Sequence, residues 1–205
     1  MRQHTQAQPK PTQGYPWFQV KISDDVFHLR IPEIATASSL VSYYSGIVVA
    51  MEHASRAASE AASNVDEDTT EESIQALSET LLKSQQEMYG ALGFVVLSCW
   101  RDPEWDLRSR AAYLQSYPIR KAIRDNQPLD SFDSEIVSIV EAAVEQSKNL
   151  QTDLKTSFGL VCWDELLCHG FTHEALQDIG TACSRLVFES IKSKSGSGVE
   201  LIANF

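Results

Sequence analysis

The stretch TEESIQALSETLLKSQQEMYGALGFVVLSCW, from Thr70 to Trp100, decides the fold. Ile74, Leu77, Leu81, Met88, Leu92, Val95 and Cys99 recur at steps of three and four, with Gln85 filling the stripe position inside the one longer step. That period places them on one face of a helix of about 30 residues, roughly 45 Å long at 1.5 Å per residue. Thr69 and Glu72 stand in capping-box spacing and mark its start. Its second half, Gly90 to Trp100, is apolar on nearly all sides, as in a helix that enters the centre of a bundle. The chain reads as mainly α, a bundle of about six or seven helices with this one at its centre.

Upstream, Phe18 to Ser23 and Val26 to Ile31 alternate apolar and polar residues around Asp24 and Asp25. Phe18, Val20 and Ile22 fall on one face with Phe27, Leu29 and Ile31, which predicts a β-hairpin over 18–31 closed by Pro32. A lone hairpin is marginal in water, so its apolar face must lie on the helices or on another chain. Helix 1 is expected from about Thr36–Ser38 to about Ser63, with Leu40, Tyr44, Ile47 or Val48 and Met51 as its stripe. The acidic connector Val65 to Thr70 is short enough to make helices 1 and 2 antiparallel.

Downstream, Asp102-Pro103-Glu104 predicts a restart, with Asp102 as N-cap and Pro103 at the first helical position. That helix is expected to end near Ser116. Tyr117-Pro118 then begins a separate turn of helix that ends near Asn126. A helix beginning at Ser131–Ser134 carries the stripe Ile136, Val140, Ala143 or Val144 and Leu150, and is expected to reach Leu154. The next spans Ser157 to His169 with Gly170 as a left-handed stop. Thr172 caps the last, whose stripe Leu176, Ile179, Cys183, Leu186 or Val187 and Ile191 reaches about Lys192. The organisation expected is a flexible arm over 1–16, one domain over 17–192, and a linker and tail over 193–205.

Composition narrows the function. With 205 residues, 43% of them apolar and 22% charged, the chain has enough material for one substantial core. A formal charge of −11 disfavours nucleic acid and anionic membranes as partners, since both repel an acidic surface. The longest apolar run, Ala91 to Trp100, is about half of what a membrane span needs. The four cysteines, Cys99, Cys162, Cys168 and Cys183, lie in apolar helical contexts and predict free thiols in a reducing setting.

Cys162, Cys168, His169 and His173 form the densest set of soft ligands, but their spacing does not match a structural zinc site, and no metal or cofactor is expected. Cys168 beside His169 is a poor nucleophile–base pair, because neighbours on a helix point about 100° apart. Asp164 and Glu165 are likewise adjacent and make no acid/base pair. No Gly-x-Ser-x-Gly elbow, phosphate-binding Gly-rich loop or His-Glu-x-x-His motif occurs. A non-enzymatic role is expected.

Charge is distributed unevenly. Val65 to Tyr89 holds seven acids and one base, whereas Arg101 to Arg124 holds six bases and three acids. The bland reading is two solvated faces; the functional one is a dipolar molecule that docks other chains, copies of itself included, through complementary charge. Arginine among Trp100, Trp105, Tyr113 and Tyr117 is the composition that interface cores favour. The contact residues expected are Phe18, Val20, Ile22, Phe27, Leu29 and Ile31 on the hairpin, Trp105, Arg108, Arg110, Arg120 and Arg124 on the basic segment, and Phe205 at the end.

The strand pair Phe18-Gln-Val-Lys-Ile-Ser-Asp-Asp-Val-Phe-His-Leu-Arg-Ile-Pro32, followed by a long first helix and the Cys99-Trp-Arg-Asp-Pro103 break, resembles the tail assembly chaperones of tailed bacteriophages over about a third of the chain. The resemblance implies a role in shielding a tail protein during assembly, in a host cell, or as a structural component of the virion. The rival expectation is an acidic inhibitor whose carboxylates at Asp66 to Glu72 occupy the channel of a nucleic-acid-binding protein complex.

Overall fold

The computed structural model of the chain describes residues 17–22, 25–30, 39–46, 48–49, 52, 55–56, 59, 71–101 and 107–194. The expected arm 1–16, the connector 65–70 and residues 195–205 lie outside them, as do Ile31, Asp102, Pro103, Trp105 and Phe205. Strands β1 (Trp17–Ile22) and β2 (Asp25–Arg30) pair antiparallel, with Phe18 opposite Leu29 and Val20 opposite Phe27. Helical residues over 39–59, here α1, are followed by α2 (Glu71–Cys99), α3 (Arg108–Arg124), α4 (Ser134–Asn149), α5 (Leu154–Cys168) and α6 (His173–Lys194). The fold is a helical bundle. None of its described helices is long and apolar enough to cross a membrane.

The second half of α2 is the centre. Gly90 to Leu97 is buried without a break, and α5 and α6 pack along it. The close approach of α2 to α5 depends on glycine. A Cβ at Gly93 would overlap the carbonyl oxygen of Gly159, and one at Gly159 would overlap the carbonyl oxygen of Gly90. The two backbones therefore touch where other helix pairs stand 8–10 Å apart between axes. Around this crossing Phe94 meets Tyr43 and Tyr113 edge to face at 5.6 and 5.1 Å, and Tyr113 meets Phe158 at 5.4 Å. The Tyr43 hydroxyl reaches Thr156 Oγ1 at 2.5 Å, tying α1 to the start of α5. Burial pushes that phenol up, so it stays neutral.

One expected burial and three helix boundaries are corrected. The first half of α2 is solvated: residues 78–83 are exposed, and Leu81, expected in the core stripe, is 42% exposed. The helix beyond Trp100 does not end at Ser116. Instead α3 continues through Pro118 to Arg124, because Ala112, Ser116, Ile119 and Ala122 pack against the bundle on both sides of the proline. Pro118 lies on the exposed side, where the carbonyl that loses its donor turns to water. The helix expected to reach Leu154 stops at Asn149, and Gln151 takes a positive φ of 51°. Asp153 then caps α5, which begins at Leu154, three residues before the expected Ser157, and its carboxylate accepts the Thr156 amide at 2.8 Å. Other expectations hold. Gly170 sits at φ 95°, and the Thr172 hydroxyl accepts the Ala175 amide at 3.2 Å.

The start of α3 has no cap of its own, since Leu107 occupies the N-cap. The carboxylate of Glu165, on α5, accepts the amides of Arg108 and Ser109 at 2.7 and 2.9 Å. A capping group supplied by another helix fixes the relative placement of α3 and α5. Glu165→Ala leaves both amides without that acceptor and is expected to cost about 1–3 kcal/mol in chemical denaturation. Glu165→Gln keeps one carboxamide oxygen and is expected to lose about half as much.

Candidate protein-interaction surface

On α3 the side turned from the bundle has a period of its own. Arg110, Leu114, Tyr117, Lys121 and Arg124 follow one another at steps of four, three, four and three, so they form one stripe along about 21 Å of helix. The buried residues Ser109, Ala112, Ser116, Ile119 and Ala122 mark the opposite side. Leu114 is 61% exposed and Tyr117 70% exposed, the two most exposed large apolar side chains among the described residues. Lys121 and Arg124 are exposed beside them. Tyrosine framed by arginine is the composition that binding hot spots favour, and Leu114 extends the apolar area beside it.

Charge continues past the helix start. The Arg101 guanidinium donates to the carbonyls of Ser98 and Trp100 at 3.0 and 2.5 Å. Burial pushes it down to about 10, with the Arg110 guanidinium and, less strongly, that of Arg30 adding repulsion. Three arginines from β2, the end of α2 and α3 thus raise the local potential at one end of the stripe. At the other end Arg124 bonds its neighbour Asp125 at 3.1 Å and remains 74% exposed. An exposed pair of this kind holds its cation weakly.

The expected contact residues separate into groups. Arg110 and Arg124 lie on the stripe. Arg120 sits beside it and donates Nε to the Ser116 carbonyl at 3.2 Å. Arg108 faces α4, within 3.8 Å of Asp133 and 3.5 Å of Glu135. Leu29 is a correction: it has no exposure, and its backbone bridges to Trp100, so it belongs to the core and not to a docking edge. Phe18, Val20, Ile22 and Phe27 are placed only by strand register, while Ile31, Trp105 and Phe205 fall outside the described residues. Leu114, Tyr117 and Lys121 were missing from the expected set, because breaking the helix at Tyr117 divides the stripe that joins them.

The soft-ligand set is dispersed. Cys162 is fully buried on α5, where burial pushes its thiol well up, and Cys168 and His169 are exposed at that helix's end. His173 Nδ1 accepts the Trp163 indole N–H at 3.0 Å, beneath the stacked ring of Tyr89 at 4.8 Å from Trp163. These contacts make the His173 end of the set a packing unit joining α2, α5 and α6. Among the described residues no three His, Cys, Asp or Glu side chains are arranged to hold a metal. A cleft of about 270 Å³ between α1 and α6 is lined mainly by Leu40, Val41, Tyr44, Val95, Val187 and Phe188. Its wall is mostly apolar, with Ser45, Thr181, Ser184 and Arg185 also among its lining.

The chain matches no family model, and no curated protein or solved structure matches it either.

Proposed function

We propose that this chain is a non-enzymatic protein-interaction protein that docks other chains through the outward stripe of α3. The observation that carries the reading is the alignment of exposed Leu114 and Tyr117 with Arg110, Lys121 and Arg124 on one rigid helix. An apolar centre supplies affinity on desolvation, while flanking cations select an acidic partner and speed encounter. Within that class the reading is an assembly chaperone or structural component of a phage particle, acting in the host cell or retained in the virion. The resemblance at Phe18 to Pro32 and the absence of a catalytic motif in the sequence support it. The acidic-inhibitor alternative draws less support, since the most exposed apolar pair of the described residues lies in a basic setting, which suits an acidic protein better than a basic channel.

Zero-length carbodiimide crosslinking in the native host tests the reading, since it joins lysine amines to carboxylates in direct contact. Lys121 is expected to link to an acidic peptide of another chain, and Leu114→Ser with Tyr117→Ser is expected to reduce that adduct at least fivefold. Adducts confined to a single copy of the chain would overturn it.

A further inference from the structure

The first half of α2, exposed over residues 78–83, carries a stripe of the same pitch and opposite charge, with Glu79 exposed on it and Glu72 placed by helix position alone. Glu72, Gln75, Glu79, Leu82 and Gln86 follow at steps of three, four, three and four along the helix. Leu82 is 56% exposed, and Glu79 is exposed and accepts from Gln75 Nε2 at 3.1 Å. Read from its C-terminal end, this stripe steps four, three, four, three, which is the sequence of steps in the α3 stripe. An antiparallel register then sets Leu82 against Leu114, Glu79 against Tyr117 with Lys121 one turn on, and Glu72 opposite Arg124. A matched seven-residue repeat is what lets two helices keep one seam along their length.

We propose that the α3 stripe receives α2 of a second copy of this chain, so that the protein self-associates head to tail. This rests on the reading of α3 as a docking face and names its occupant. The argument is complementarity: the α3 stripe is basic around two apolar residues, the α2 stripe is acidic around one, and within a chain of net charge −11 the cationic stripe has acidic copies of itself as a ready partner. The two surfaces differ, so a single contact joins copies head to tail into a ring or an open chain, and a two-fold dimer forms only where both stripe pairs engage across one axis. Two helix stripes form a small interface, below roughly 1,200 Å² in total, so association is weak, concentration-dependent and sensitive to salt.

Light scattering across protein concentration tests this with the full chain. The wild type is expected to grow in mass at low salt and to fall to monomer at high salt. One variant carries Lys121→Glu and Arg124→Glu, the other Glu72→Lys and Glu79→Lys; each alone is expected to stay monomeric with unchanged helical circular dichroism. Mixed at equal concentration they are expected to regain association, because each reversed stripe then meets an opposite one. Leu82→Ser with charges untouched is expected to weaken association at least fivefold, as a second reading should charge reversal disturb folding. A wild type that is monomeric at every salt, or a mixture that fails to associate, overturns the proposal. If Lys121 still crosslinks to a different protein in that case, the docking role of α3 stands and only self-association falls.

Discussion

Gly159→Ala is expected to destabilise the protein by about 4 kcal/mol, above the 1–3 kcal/mol of ordinary overpacking. A methyl group at this position has no side chain to displace. It would overlap the carbonyl oxygen of Gly90 and stand 2.7 Å from the Phe94 amide nitrogen, both on the backbone of α2. Relief requires the two helices to separate, and the aromatic cluster of Tyr43, Phe94, Tyr113 and Phe158 is built on their contact. Since a domain holds only about 5–15 kcal/mol in total, the denaturation midpoint should fall far or the cooperative transition should be lost. Gly180→Ala is a graded comparison. Its Cβ would meet only the side chain of Leu92, at 2.9 Å or more, and a side chain can rotate, so a loss of about 1–2 kcal/mol is expected. Gly46→Ala meets nothing within 4 Å on a helix and is expected to gain about 0.5–1 kcal/mol. A cost under about 1 kcal/mol at Gly159 would mean that the helices are not in backbone contact there.

That crossing also shows where reading a sequence stops. The period of Leu92, Val95 and Cys99 announces a buried helix, and the structure buries all three. The same period continues through Leu81, which is solvated, because a stripe records which residues share a face and not whether a neighbour covers it. Gly90 and Gly93 are one helical turn apart and visible as a pair, but their counterpart Gly159 lies some seventy residues on, and nothing local connects them. The cap on α3 is of the same kind: Glu165 stands 57 residues from the Arg108 amide it accepts. Local signals held where the chemistry is local, as at Thr172 with Ala175 and at the left-handed Gly170. They misled at Pro118, where packing of Ser116, Ile119 and Ala122 outweighs the local preference of a residue before proline to leave the helix. That one misplacement hid the α3 stripe, since Arg110 and Leu114 fell to one expected helix and Lys121 and Arg124 to another.

Leu29→Ala is expected to cost about 3 kcal/mol and to act first on the strand pair. Two strands alone are marginal in water, so β1 and β2 draw their stability from what they rest on. Leu29 is their fully buried residue among those described, and its backbone bridges to Trp100, itself 1% exposed at the end of α2. Truncating it removes the transfer energy of the isobutyl group and leaves a cavity beside Trp100. Because β1 and β2 lie before the helices in sequence and α2 packs mainly on α5 and α6, the loss should divide unevenly across the molecule. Amide hydrogen exchange is expected to accelerate at the strand amides, Phe18 to Val20 and Phe27 to Arg30, while the amides of α5 remain protected until global unfolding. Equal acceleration in β1, β2 and α5 would instead make the strands part of the cooperative core. That outcome would place the docking of β2 on Trp100 among the contacts that hold the bundle together, and not as an attachment to it.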